Sequence, residues 1–250
     1  NYSSSVQNPM LYNVKTTDTG IYKVVVTNIF GCKDSSTTHV TVYTLPVITS
    51  SSNSPICIGS NLQLNASGGI GFLWKGPNNY QSTLQNPQIN NTRLIDSGYY
   101  WVTVTNSNSC TDSSSIKVVI YAQPKIIIGS NSPVCEGSSI QLNASGGINY
   151  SWSGPSSFNS TQQNPVIPNS QTGFGGQYQV IVKDSKGCSD TVNTSIVVNA
   201  VPTATINPVG NVTLCAPFDV TIYASSGTNP GYQWYKNGSL INGAINGYYK

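Results

Sequence analysis

Asp96-Ser97-Gly98-Tyr99-Tyr100-Trp101-Val102-Thr103-Val104-Thr105-Asn106-Ser107-Asn108-Ser109-Cys110 is the stretch that the rest of the chain repeats or complements. Asp96-Ser97-Gly98 is turn chemistry. Tyr100, Val102 and Val104 then alternate with more polar neighbours at the two-residue period of a strand buried on one face. Asn106 to Ser109 supplies the small polar residues that close a hairpin. The same text recurs as Asp18-Thr19-Gly20-Ile21-Tyr22 through Cys32 and as Gly176-Gln177-Tyr178 through Cys188. Subtracting 32 from 110, and 110 from 188, gives 78 residues both times.

A fixed internal period outranks chain length as a guide to organisation. Pro46, Pro124 and Pro202 keep the register, so the 250 residues divide into complete repeats at 47–124 and 125–202. Residues 1–46 match only the C-terminal part of a repeat, and 203–250 only the N-terminal part. Half a sandwich cannot bury its own face, so the sequence reads as a piece of something longer.

Within 125–202, Lys125 to Gly129 reads as a first strand and Ser130 to Ser138 as a turn. Ile140 to Ser145 follows as a strand with Ile140, Leu142 and Ala144 facing in. Gly146-Gly147 turns the chain, Tyr150-Ser151-Trp152 opens the next strand, and Gly154-Pro155 breaks it. A short strand around Ile167, the Tyr178 strand, a hairpin at Asp184 to Gly187 and a last strand ending near Val198 complete the repeat. Helical periodicity is absent. About seven short strands with regular turns predict an all-β antiparallel sandwich.

Charged residues make up 8% and the net charge is +3, carried by scattered lysines with no run or stripe. That distribution excludes nucleic acid and acidic membrane surfaces as partners. Ser, Thr, Asn and Gly stand where a cytosolic protein carries Lys and Glu, which points to an extracellular setting. No apolar run approaches the roughly 20 residues of a membrane helix.

Trp74 and Trp152 stand where immunoglobulin-like domains place the core tryptophan of strand C, and Trp234-Tyr235-Lys236-Asn237-Gly238 resembles that strand. Tyr22 and Tyr100, with their preceding Asp-x-Gly, resemble the tyrosine corner of the same superfamily. Phe174-Gly175-Gly176-Gln177-Tyr178 keeps the tyrosine, here Tyr178, and loses the aspartate. The core cysteines of immunoglobulin domains are replaced by Ala66 with Val102 and by Ala144 with Val180. Asn53-Ser54-Pro55-Ile56-Cys57 with Asn131-Ser132-Pro133-Val134-Cys135, and Leu64-Asn65-Ala66-Ser67-Gly68-Gly69 with Leu142-Asn143-Ala144-Ser145-Gly146-Gly147, carry a closer likeness. The chain resembles the tandem immunoglobulin-like repeats of giant exported surface proteins of gliding Bacteroidetes, the SprB-type gliding-motility adhesins among them. The resemblance implies a rod-like array on the outside of the bacterial outer membrane, type IX secretion and an adhesive role.

Six cysteines at regular spacing in an exported composition are expected to be bridged. Each complete repeat has one before its second strand (Cys57, Cys135) and one after the hairpin (Cys110, Cys188). In the immunoglobulin topology that the resemblance implies, these lie at opposite poles, separated by strands of about seven residues, or roughly 20 Å. A disulfide needs its Cα atoms within about 7 Å. The expectation is therefore an inter-domain bridge, Cys57 to Cys188, with Cys32, Cys110, Cys135 and Cys215 pairing to cysteines outside the sequence. Within-repeat pairing, such as Cys57 with Cys110, and free thiols are the alternatives.

Catalytic chemistry finds little to work with. His39 is the sole histidine, so no Ser-His-Asp or Cys-His arrangement can form. The carboxylates Asp18, Asp34, Asp96, Asp112, Asp184, Asp190, Asp219 and Glu136 fall mostly at repeat-equivalent turns and read as solvated turn residues. No acidic cluster flanks Pro124 or Pro202, so no metal and no cofactor is expected. One feature breaks the repeat. Tyr99 and Trp101 lie on the outward face of the Tyr100 strand, where the other copies have Ile21 with Lys23 and Gln177 with Gln179; exposed aromatics suit a sugar or protein contact, and the alternative is that Trp101 packs on neighbouring side chains or the next domain. Asn-x-Ser/Thr triplets, as at Asn65, Asn143 and Asn237, are frequent in so Asn-rich a chain. Asp190-Thr191-Val192 resembles the O-glycosylation acceptor of these bacteria, at Thr191.

These readings converge on a structural and adhesive stalk segment, held by neighbouring domains of its own chain and meeting an extracellular surface, a polysaccharide or other cell-surface proteins. The alternatives are a carbohydrate-binding or spacer module of a secreted polysaccharide enzyme, and a subunit of a surface filament.

Overall fold

The computed structural model describes residues 2–225 and 230–250. Asn1 and 226–229, which fall within the expected partial repeats 1–46 and 203–250, lie outside the described residues. Two compact units divide the chain. The first runs up to Pro124 and includes Lys183–Ser189; the second comprises Lys125–Val182 and Asp190–Lys250.

The first unit holds β1 (Gly20–Thr27), β2 (Lys33–Val40), β3 (Thr49–Ser52), β4 (Ile56–Cys57), β5 (Leu62–Ser67), β6 (Gly71–Lys75), β7 (Gln81–Ser82), β8 (Gln88–Ile89), β9 (Gly98–Thr105), β10 (Thr111–Val118) and β11 (Ile120–Tyr121). One sheet has the order β3-β5-β8 and the facing sheet β10-β9-β6-β7. Leu62, Leu64 and Ala66 of β5 meet Trp74 of β6 and Tyr100, Val102 and Val104 of β9 in one core. The period-two alternation of β9 therefore points its even-numbered residues inward. Ala66 and Val102 fill the place of a core disulfide, and burying a Val or Leu side chain contributes about 1.5–3 kcal/mol.

The second unit repeats the plan with β12 (Ile127–Ser130), β13 (Val134–Cys135), β14 (Ile140–Ser145), β15 (Asn149–Gly154), β16 (Phe158–Ser160), β17 (Val166–Ile167), β18 (Gly176–Lys183), β19 (Ser189–Ile196) and β20 (Val198–Asn199). Its sheets are β12-β14-β17 and β16-β15-β18-β19, closed over Ile140, Leu142, Ala144, Trp152, Tyr178, Val180 and Val182. β21 (Ile206–Asn207), β22 (Ile222–Ala224), β23 (Tyr235–Lys236), β24 (Ser239–Leu240) and β25 (Tyr248–Tyr249) follow as a three-stranded sheet, β21-β22-β25, and a pair, β23-β24, with Trp234 buried. The chain is all-β and its units are antiparallel sandwiches of immunoglobulin-like order.

Two details depart from the sequence reading. Each sandwich contains one short parallel pairing, β4 with β11 and β13 with β20. β13 lies inside Ser130–Ser138, which reads as a turn because two residues carry no alternation to detect. The second departure concerns Tyr22. Its hydroxyl makes the corner bond to Asp18 O at 2.9 Å, but the ring is only half-buried and stacks edge-on against Tyr2, 6.2 Å between centroids. No second sheet covers β1 and β2 among the described residues, so Val24 and Val26, on the face of Tyr22, stay exposed.

The tripeptides Gln85-Asn86-Pro87 and Gln163-Asn164-Pro165 finish what the sheets leave open. β8 reaches only Leu62 and Gln63 of β5. At the far end of β5, Asn86 Oδ1 accepts from Ala66 N at 3.1 Å and Gln85 Nε2 donates to Ala66 O at 2.9 Å. Asn164 and Gln163 do the same for Ala144, at 3.2 and 2.8 Å. Side-chain amides thus stand in for a missing ladder partner.

Gly76 and Gly154, two residues after each core tryptophan, are set by close approach. A Cβ at Gly76 would press on the Tyr100 ring and one at Gly154 on the Tyr178 ring. We expect Gly76→Ala and Gly154→Ala each to lower the unfolding free energy by about 1–3 kcal/mol through overpacking. Denaturant titrations of the two variants beside the wild type check this, and an unchanged midpoint would contradict it.

Candidate functional site

Cys188 sits at the end of a hairpin that a single carboxylate organises. Asp184 N donates to Cys188 O, while Asp184 Oδ1 accepts from Lys186 N and Cys188 N, each at 2.9 Å. The turn holds the thiol position rigidly, and Cys188 is 1% exposed. Cys57 ends β4, paired in register with Tyr121 of β11. The structure joins Cys57 to Cys188 in a disulfide, with Cα atoms 5.6 Å apart across 131 residues of chain. Beside it the Lys186 ammonium lies 4.7 Å over the Tyr121 ring, a cation–π contact. The register partners Cys57 and Tyr121 thus meet Cys188 and Lys186 of one hairpin. A disulfide places the chain in an oxidising environment. Cys32, Cys110, Cys135 and Cys215 are not bridged within the sequence.

The upstream hairpin is built alike. Asn106 replaces the aspartate, accepting from Asn108 N and Cys110 N at 3.0 Å. Being an amide, it also donates, to Thr44 O at 2.9 Å. The sequence reading placed Asn106 and Asp184 at the starts of hairpins without giving them the role of holding the cysteine, and it did not single out Lys186 or Tyr121. The signal available was the recurrence of Asn28, Asn106 and Asp184 four residues before each hairpin cysteine.

The tyrosine corner recurs three times with one geometry. Tyr22, Tyr100 and Tyr178 donate their hydroxyls to the backbone oxygens of Asp18, Asp96 and Phe174, each at 2.9 Å. The reading of Asp96 as a solvated turn residue is corrected: it is 9% exposed, and its Oδ2 accepts from Arg93 N at 2.8 Å. A short 3₁₀ turn, Leu94–Asp96, folds the carboxylate back onto the free N–H that starts it. Asp18 does the same for Lys15 N at 2.7 Å. Burial, then the Asp96 charge and the neighbouring Tyr80, push the Tyr100 phenol up to about 12.

Trp74 and Trp152 are fully buried, and their indole N–H groups donate to Gln85 O and Gln163 O at 3.2 and 3.3 Å. Trp234 donates to Asn246 O at 2.8 Å. Tyr99 and Trp101 are each 51% exposed, with ring centroids 5.8 Å apart at an interplanar angle of 39°. Thr191 is exposed on β19, its N–H turned to Asp190 Oδ1 at 2.8 Å. His39 is exposed, and its ring Nδ1 lies 3.2 Å from the Thr41 hydroxyl. Among the described residues no group of three His, Cys, Asp or Glu gathers to hold a metal, and no helix is long and apolar enough to cross a membrane.

No protein family and no curated protein matches the chain. Solved structures that it resembles include murine CEACAM1b, at 14% identity over 62% of this chain and 100% of that chain, with a TM-score of 0.33. The three N-terminal domains of the bacteriophage RB49 highly immunogenic outer capsid protein, Hoc, match at 18% identity over 79% of each chain, with a TM-score of 0.36. Dpr11 IG1 bound to DIP-gamma matches at 13% identity over 60% of this chain and 99% of that one, with a TM-score of 0.27. Likeness of this size carries no argument about function, and the fold rests on the strand order, core and corners described above.

The raised phenol has a consequence at high pH. Its folded-state value lies above the ordinary value near 10, so the folded chain holds the proton more tightly than the unfolded one. That stabilisation is complete below pH 10 and is lost as pH rises toward about 12. We expect thermal stability to fall across this window, and to fall less in Tyr100→Phe, which starts from a level about 1 kcal/mol lower because the corner bond is gone. Melts followed by circular dichroism, with tyrosinate absorbance recorded in parallel, read both effects.

Proposed function

We propose that this chain is a non-catalytic stalk segment of a large bacterial cell-surface protein, in which disulfides staple consecutive repeats into a force-bearing rod. The observation that carries the reading is the bond between Cys57 of the repeat 47–124 and Cys188 of the repeat 125–202. Low charge, the 78-residue period and the likeness to gliding-motility adhesin repeats support an extracellular adhesive setting reached by type IX secretion.

The mechanism is geometric. A pull along the chain enters at Cys57, crosses the disulfide and leaves at Cys188, so the loop between them, a sequence separation of 131, carries no extension. Cys215 follows Cys188 by only 27 residues and is the next place where the force path can leave the backbone. With Cys215 bridged onward in the same manner, only that short stretch of each pair of repeats can stretch before a covalent bond breaks. Repetition adds reach and multivalency, since many weak contacts on one chain raise avidity without new chemistry. Cys110 and Cys135 then pair with the repeats before and after, and Thr191 stands exposed for an O-glycan.

A second reading, a carbohydrate-binding or spacer module of a secreted polysaccharide enzyme, is favoured by one observation, the exposed Tyr99–Trp101 pair. Non-reducing peptide mapping of a native chain with at least three whole repeats separates the two. We expect cross-linked peptides of Cys57 with Cys188, and of Cys110 and Cys135 with neighbouring repeats. Cys57 joined to Cys110 would sink the staple. Single-molecule pulling adds the mechanical test. Reduction should lengthen the fully extended chain by roughly 460 Å, the reach of the freed loop at about 3.5 Å per residue.

A further inference from the structure

The outward face of β9 carries more than two aromatic rings. In the β10–β9–β6 register, Lys117 stands directly opposite Tyr99, while Ser115 and Lys75 flank Trp101 on its two sides. Gln81 of β7 extends that row beyond Lys75. Directly opposed residues of antiparallel strands share a face, so Tyr99, Trp101, Lys75, Lys117, Ser115 and Gln81 form one exposed patch. The nearby carboxylates point elsewhere. Asp96 is buried beneath the corner, and Asp112 is the partner of Val104, whose side chain enters the core.

The repeat itself supplies a control. Seventy-eight residues on, the positions of Tyr99, Trp101, Lys75 and Lys117 hold Gln177, Gln179, Ser153 and Ser195. Aromatic rings and cations disappear together, while the inward residues Tyr100, Val102 and Val104 persist as Tyr178, Val180 and Val182. Packing does not demand this set, because the second sandwich closes its core without it. Joint loss is what a ligand needing both a flat apolar face and positive charge would produce.

We propose that this patch binds a uronate-containing polysaccharide: Tyr99 and Trp101 stack on consecutive sugar rings, and Lys75 and Lys117 pair with their carboxylates. Stacking uses the apolar faces of the pyranose rings against exposed aromatic surface, and the lysines supply the charge complementarity that a neutral glycan would not use. The inference deepens the surface-stalk reading by naming what one repeat touches. It stands apart from the disulfide map, since failure of binding leaves the cross-links unchanged and the reverse also holds.

Affinity electrophoresis of the 250-residue chain through gels containing alginate, dextran sulfate or hydroxyethyl cellulose tests it, at about 0.15 M salt to suppress loose charge attraction. We expect retardation by alginate alone. The double variants Tyr99→Gln/Trp101→Gln and Lys75→Ser/Lys117→Ser adopt residues that the second repeat already carries at the same sites. Each should weaken alginate binding about tenfold or more, with the melting curve recorded to establish folding. Four outcomes overturn the proposal: no retardation by alginate, equal or stronger retardation by dextran sulfate, binding to neutral cellulose that survives lysine replacement, or alginate binding indifferent to the aromatic replacement.

Discussion

One hydrogen bond fixes what each face of the sandwich does. The Tyr100 hydroxyl, donated to the backbone oxygen four residues upstream, pins the start of β9 at Asp96 and lays the ring over Gly76. Side chains alternate strictly along a strand, so this anchor sets every later residue of β9 to one face. A slip of a single residue would send Tyr99 and Trp101 into the core and Val102 and Val104 into solvent. The same anchor, repeated at Tyr178, sets how far β18 runs before the Asp184 hairpin, and with it the position of Cys188.

Much of this was legible in the sequence because it repeats and because it obeys period two. The inward sets Leu62-Leu64-Ala66 and Tyr100-Val102-Val104, and their copies, are visible as alternation, and the tryptophans and tyrosines mark the strands that face them. The parallel pairs β4 with β11 and β13 with β20 were hidden because two residues have no period and their partners lie more than sixty positions away. Asp96 misled for a different reason. A carboxylate in a turn reads as solvated, and only the 3₁₀ geometry shows it spent on the N–H of Arg93. The amide clamps on Ala66 and Ala144 were equally silent, since Gln-Asn-Pro has many uses and the contact spans about twenty residues. At the hairpins, recurrence drew attention to the cysteines, while the residue that positions them changes from Asn28 and Asn106 to Asp184 and so escaped a search for identity.

That change is chemically informative. An aspartate at 184 can only accept, and all its bonds serve the hairpin that presents Cys188 and Lys186. An asparagine at 106 accepts in the same way and has an N–H left, which it gives to Thr44. A cystine whose Cys188 half is buried, with a cation–π contact at its side, is thus held by the bonds of the Asp184 carboxylate to the hairpin backbone. The covalent bond then fixes a conformation that the local turn already prefers, and less chain entropy has to be removed when it closes.

The division of labour between faces explains where the copies are free to differ. Inward positions answer to the volume shared by two sheets, and a misfit there costs whole kilocalories. Outward positions on these strands are not held by the core, as Gln177 and Gln179 of β18 illustrate. Two large aromatics held half in water on such a face, flanked by lysines on both neighbouring strands, go against the pull toward polar surface that governs the rest of this Ser/Thr/Asn-rich chain. A fold that fixes its inner face by packing leaves outer-face residues free to differ between copies while core and tyrosine corner persist, as Tyr99 and Trp101 against Gln177 and Gln179 show.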